Sequence, residues 1–138
     1  MTRHDASQIL PVNHISDKII AAAMKIHSTL GPGLLESVYE ARLLHELRKQ
    51  GLKVERQVLL AVIYDGVTID LNYRMDLVVE DLVVIESKCV QALDRVHERQ
   101  ILSYPELSGK TVGLLINFHV AHLRNGIKRF VNGQNWQN

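Results

Sequence analysis

The chain has 138 residues, enough for one domain with a core of its own. Apolar residues make up 46% and charged residues 22%; no run approaches the roughly 20 apolar residues of a membrane span, and Met1-Thr2-Arg3-His4-Asp5-Ala6 lacks the apolar stretch of a signal peptide, so a cytoplasmic location is expected. The net charge of +1 argues against a protein that holds nucleic acid mainly by bulk electrostatics, and the single cysteine, Cys89, excludes an internal disulfide.

Residues 1–14 show no periodicity and are expected as a loosely ordered arm. From Ser16, which reads as an N-cap, Ile19, Ala23, Ile26, His27 and Leu30 recur at helical spacing until Gly31-Pro32-Gly33 stops them. A second helix is predicted from about Leu34 to Gln50, ended by Gly51. Its Glu36, Tyr39, Leu43 and Leu47 stand at i, i+3, i+7 and i+11, so Glu36 heads the stripe that turns inward. A carboxylate in the first turn also suits the helix dipole without any further role.

Val54 to Tyr64 reads as a strand, Asp65-Gly66 as a tight turn, and Thr68 to Val79 as a second strand, irregular at Asn72. Glu80-Asp81 separates it from a third strand, Leu82 to Cys89. Gln91 to Tyr104 reads as a helix, which Pro105 should end or kink near Tyr104. Thr111 to Phe118 is a buried strand, and Asn125-Gly126 marks a turn before a short strand, Ile127 to Val131; residues 132–138 are expected as a loosely ordered polar tail. The order ααβββαβ with a short C-terminal strand predicts an α/β fold with a mixed sheet flanked by helices, as a single domain over residues 1–138.

Leu82-Val83-Val84-Ile85 is apolar at every position and reads as a strand covered on both faces, yet it runs directly into Glu86-Ser87-Lys88. Residues two apart in a strand share a face, so Glu86 and Lys88 project together, about 7 Å apart along the chain. Burying them unpaired is strongly unfavourable; a partner, a bound cation or a solvent-filled cleft is implied. Asp76, in Tyr73-Arg74-Met75-Asp76-Leu77, is the obvious companion. A two-residue loop at Glu80-Asp81 would set Val79 against Leu82 and leave Asp76 on the face away from Glu86. To share a face, the two carboxylates need an odd number of loop residues or a β-bulge.

Asp76, then Glu86-x-Lys88 at the end of a hairpin, resembles the PD-(D/E)XK nuclease superfamily, and Gly33-Leu34-Leu35-Glu36-Ser37-Val38-Tyr39 resembles the signature of its small GxxExxY branch. The likeness runs from about Ile19 to Val131 and takes in Gly51-Leu52-Lys53-Val54-Glu55-Arg56-Gln57, Gln100-Ile101-Leu102-Ser103-Tyr104 and Gly113-Leu114-Leu115-Ile116-Asn117-Phe118. It implies a restriction-endonuclease-like fold and metal-dependent hydrolysis of phosphodiesters, in DNA ahead of RNA. Magnesium, or manganese in its place, would be held by Asp76, Glu86, the backbone carbonyl of Ser87 and Glu36, since hard cations take oxygen ligands. Lys88 would orient or deprotonate the attacking water, or stabilise charge at phosphorus. Gln100 and Tyr104 share a helix face and would contact a phosphate, although such a face also serves to pack a helix on a sheet. His27 reads first as a core histidine and, by the resemblance, as a substrate contact. His119-x-x-His122 lacks the companions of a zinc site, and Cys89 reads as a small buried hydrophobe. Arg95, Arg99, Lys110, Arg124, Lys128 and Arg129 could line one cleft or simply be solvated. A noncatalytic nucleic-acid- or protein-binding module on the same scaffold is the alternative, another magnesium-dependent phosphoester hydrolase a third; the near-neutral charge and the lack of an obvious target-recognition domain point to help from a protein partner, and a homodimer, for which only the small size speaks, would provide a longer groove and two cuts on a duplex.

Overall fold

The computed structural model describes residues 6–131 and 136–137. Its elements are α1 (Ala6–Leu30), α2 (Glu36–Lys49), β1 (Val54–Tyr64), β2 (Val67–Val79), β3 (Val83–Lys88), α3 (Arg95–Ser108), β4 (Val112–Asn117), a 3-10 turn (Leu123–Gly126), β5 (Ile127–Val131) and β6 (Trp136–Gln137). All six strands form one sheet in sequence order, antiparallel throughout except for the parallel pair β3 and β4. A parallel pair needs a crossover, and α3 supplies it. The result is the α/β mixed sheet flanked by helices that the element order implied, and it is consistent with the restriction-endonuclease-like fold implied by the resemblance.

The two-residue period of the central strands sorts their side chains into two cores. Leu77, Val79, Val83, Ile85, Val112, Leu114 and Ile116 pack with Ile19, Ala23 and Ile26 of α1 and Tyr39, Leu43 and Leu47 of α2. The alternate residues Val78, Val84 and Leu115 meet Ile101 of α3 on the other face. Both faces of β3 and β4 are therefore covered, which accounts for their unbroken apolar runs.

Three expectations need correction. The first helix starts at Ala6 rather than at Ser16, so residues 6–14 of the expected arm are helical; residues 1–5 lie outside the described residues. Val12 and Ile15 are both buried, and together they carry the stripe of Ile19, Ala22 and Ile26 toward the N-terminus. Ser16 is an interior residue whose hydroxyl bonds back to the Asn13 carbonyl at 3.1 Å. At the other end, the polar tail contains the strand β6, which pairs Phe130 with Trp136 and Arg129 with Gln137; residues 132–135 and 138 lie outside the described residues. Finally, α3 does not stop at Tyr104. It continues through Pro105 to Ser108, and the break comes at Gly109, whose φ of 78° is the left-handed conformation that terminates helices. The irregularity expected at Asn72 is present: Leu60 pairs with Tyr73 but Ala61 with Asp70, so Leu71 and Asn72 have no counterparts on β1. No helix among the described residues is long and apolar enough to cross a membrane.

Candidate active site

The hairpin between β2 and β3 meets the parity condition. Val79 pairs with Val83, Val78 with Val84 and Leu77 with Ile85, so the loop is the three residues Glu80, Asp81 and Leu82, and the next step outward sets Asp76 against Glu86. Glu80 and Asp81 both adopt left-handed backbone, at φ 52° and 58°. Neighbours hold this uncommon pair: the Glu80 carboxylate accepts the Lys53 amide at 2.6 Å, Asp81 pairs with Lys110 at 2.6 Å, and the Leu82 amide turns back to the Val79 carbonyl at 3.0 Å.

Asp76 and Glu86 consequently meet at the end of β3. The Ser87 amide donates to Asp76 Oδ2 at 3.1 Å. Glu86 is only 5% exposed; its Oε2 lies 3.7 Å from Lys88 Nζ, and its Oε1 is buried with no hydrogen-bond partner. Burial, reinforced by the neighbouring Asp76 charge, pushes the Glu86 carboxyl up to about 8, against the opposing pull of Lys88. The exit from β3 is clamped to the end of β4. Phe118 N–H donates to the Lys88 carbonyl at 2.9 Å, and the buried Asn117 side chain both accepts from the Val90 amide at 3.1 Å and donates to its carbonyl at 2.9 Å.

Glu36 reaches the same region from α2, and its neighbours in sequence explain how. Gly31 and Gly33 turn the chain through φ values of 68° and 97°. No side chain caps α2 at Leu35; Tyr39, one turn inside the helix, bonds the turn instead. Its hydroxyl donates to the Gly31 carbonyl and accepts from the Leu34 amide at 3.3 Å, while its ring stacks on Phe118 at 4.5 Å. Burial raises the Glu36 carboxyl, Asp76 and Glu40 adding to the effect, and Lys88 and His97 oppose it. Glu36 is thus electrostatically part of the Asp76–Glu86–Lys88 cluster. Among the described residues, however, no three His, Cys, Asp or Glu side chains form a group able to hold a metal by themselves. Two carboxylates, one with a bare buried oxygen, fit a cation that keeps much of its water, as magnesium does.

Two site neighbours were missed. Gln57 lies in β1 between the pairs Arg56 with Leu77 and Val58 with Met75, directly across from Asp76, and has a φ of 53°. Such a conformation costs a non-glycine residue about 1–3 kcal/mol. Here the strand pair changes faces: Val54 and Leu77 belong to the core under α1 and α2, whereas Met75 belongs to the core under α3 and Val58 packs against it. The Gln57 amide donates to Glu40 at 3.0 Å, tying this step to α2. His97, near the start of α3, acts on Glu36 and is held by Asp94, which accepts the Val96 amide at 2.9 Å and the His97 amide at 3.2 Å. A left-handed glutamine has no periodic signature, and only the order of the motifs around Glu55-Arg56-Gln57 marked the segment.

The remaining candidates divide. His27 is a core histidine: it is 8% exposed and its Nε2 is engaged by the Val120 carbonyl at 2.7 Å, binding α1 to the segment after β4. Gln100 is half-buried on α3 beside the fully buried Ile101; the side chain of Tyr104 lies outside the described residues. The cations do not gather in one cleft. Lys110 sits beside the 80–82 loop, at the opposite end of β3 from Lys88, while Lys128 pairs with Glu98 and Arg129 with Asn13. Burial raises the Cys89 thiol, as does the Glu36 charge, and the residue packs against the core under α1 and α2.

The family model of the PD-(D/E)XK nuclease superfamily matches residues 13–130, from within α1 to the penultimate residue of β5. No curated protein and no solved structure matches the chain.

Proposed function

We propose that this chain, which belongs to the PD-(D/E)XK nuclease superfamily, cleaves phosphodiester bonds in nucleic acid with a divalent cation, magnesium or manganese, held by Asp76 and Glu86. The observation that carries the reading is the odd hairpin loop, which sets Asp76 opposite Glu86 and leaves Glu86 Oε1 buried without a partner. The Ser87 carbonyl and water would complete the shell, and Glu36, outside any three-acid group, would act through a bound water. Such a cation neutralises charge on the phosphoryl oxygens and acidifies water.

The side chains do the rest. Lys88 Nζ, beside Glu86 Oε2, orients the attacking water, and in its uncharged form takes a proton from it. The water oxygen bonds to phosphorus as the bond to the departing alkoxide breaks, and that alkoxide is protonated from solvent. Asp76 is held in place by the Ser87 amide. Gln100, half-buried on α3, and Tyr104 are proposed phosphate contacts. DNA is placed ahead of RNA on the resemblance alone. The spacing Gly33, Glu36, Tyr39 supports the GxxExxY branch, since each of the three residues has a distinct task in delivering the carboxylate.

The test is cleavage of DNA, RNA and small phosphoesters with magnesium or manganese, with Glu86→Ala as the control. Metal-dependent cleavage of a polynucleotide, lost in Glu86→Ala, is the expected result. Retention of nucleic acid without cleavage under any metal would favour a binding module on the nuclease scaffold, and cleavage of small phosphoesters alone a different hydrolase.

A further inference from the structure

The crossover helix α3 brings one more side chain to the acidic cluster. Because β3 and β4 are parallel, α3 runs back along them, so its first turn lies at the end of β3 that carries Glu86 and Lys88. On α3, Ile101 packs with Val84 and Leu115 against one side of the sheet. Val84, Glu86 and Lys88 stand two apart in β3 and share that side. One turn back from Ile101 along the helix is a step of about 6 Å and reaches His97, on the same helix face. Two residues onward from Val84 along the strand is a step of about 7 Å and reaches Glu86. The two steps match, which sets His97 over the end of the strand where Glu86 and Lys88 project. Its charge is felt there as well: His97 opposes the rise of the Glu36 carboxyl, which arrives on α2 from the other side of the sheet.

The ring is held by one edge only. The Asp94 amide donates to His97 Nδ1 at 3.2 Å, while Asp94 Oδ1 accepts the amides of Val96 and His97 at 2.9 and 3.2 Å and stands 3.4 Å from Nδ1. An Nδ1 that accepts leaves the proton of the neutral imidazole on Nε2. Among the described residues Nε2 has no hydrogen-bond partner, although the side chain is only 22% exposed. We propose that His97 is a catalytic residue whose Nε2–H donates to a non-bridging oxygen of the phosphodiester bound beside Asp76, Glu86 and Lys88, an assignment that rests on the nuclease reading of that site. A phosphodiester brought there meets three carboxylates, which as anions can only accept, and Lys88 as a single donor. His97 supplies a second donor, oriented in advance by Asp94, and such a donor stabilises charge as it develops on the phosphoryl oxygens. It acts as neutral imidazole and transfers no proton. Gln100, three residues further on, adjoins it on the same helix face.

Two amide substitutions separate the ring's two edges. In His97→Gln the amide nitrogen stands near the place of Nε2, whereas in His97→Asn the amide stands near the place of Nδ1 and can keep the contact with Asp94. Single-turnover cleavage of a labelled DNA duplex with magnesium should fall about 100-fold in His97→Asn and recover to within about 10-fold of wild type in His97→Gln. Fluorescence anisotropy of the same duplex, with each substitution made in the slow Lys88→Met chain, should show affinity about 10-fold weaker for the asparagine variant alone. Calorimetric magnesium affinity and the urea midpoint of the metal-free protein should not separate the two variants. Full cleavage by both variants overturns the proposal, as does activity in His97→Asn with loss in His97→Gln, which would confine the ring to holding the start of α3. Equal losses in both, with a lowered urea midpoint, also overturn it; in these three cases the nuclease reading stands, because wild type still cleaves. A wild-type chain that neither binds nor cleaves DNA or RNA overturns the nuclease reading, and the role of His97 with it.

Discussion

Replacing Glu86 by glutamine should strengthen the metal-free protein in a way that depends on pH. An unfolded glutamate ionises near 4.5, whereas in the folded chain burial and Asp76 push the Glu86 carboxyl up to about 8. Between those values the folded protein keeps a proton that the unfolded chain releases. Stability associated with this group is therefore fully present below 4.5 and is lost as pH rises through 8. At 1.36 kcal/mol per pH unit, the loss approaches about 5 kcal/mol above pH 8, a large share of the 5–15 kcal/mol typical of a domain. Glutamine has the same shape and no charge to desolvate. Glu86→Gln should match wild type near pH 4.5 and exceed it by several kcal/mol at pH 8.5, moving a urea midpoint by about 2 M. Urea unfolding with a chelator at pH 5, 7 and 8.5 measures the gap directly. Adding magnesium at pH 8.5 should stabilise wild type and leave the variant unmoved. A gap that does not widen with pH would show that Glu86 is not a crowded, desolvated carboxyl, and the metal reading would lose its electrostatic basis.

Lys88→Met should lower turnover about 100-fold or more with little change in substrate or magnesium affinity, measured by single-turnover cleavage and calorimetry; full activity in this variant would refute the proposed role. Lys88→Arg separates the two roles, because a guanidinium stays protonated and cannot serve as a base. Glu36→Gln removes a carboxylate whose burial and Asp76 neighbour outweigh the attraction of Lys88, so it should stabilise the metal-free fold near neutral pH while weakening magnesium binding, and unchanged calorimetric affinity would leave Glu36 only its place in the helix dipole. Shortening the 80–82 loop by one residue should shift the register, turn Asp76 to the far face and abolish metal-dependent stabilisation; retained magnesium binding would contradict the pairing of Asp76 with Glu86.

Much of the molecule was legible residue by residue. β1 runs from Val54 to Tyr64 as its composition implied, the unbroken apolar run of β3 announced a strand covered on both faces, and Glu36 heads the buried stripe of Tyr39, Leu43 and Leu47. These are local properties, because periodicity records which side of an element meets the core. The tertiary structure alone decided the parity of the hairpin: Leu82 is as apolar as its strand neighbours, yet its amide closes the turn on Val79 and makes the loop three residues long. It also decided the left-handed Gln57 opposite Asp76, the commitment of His27 to the Val120 carbonyl, and the extension of α1 back to Ala6. Which carboxylates meet depends on register and on the packing of distant segments, and a one-residue change in register alters the site completely while leaving the hydrophobic pattern of each strand the same.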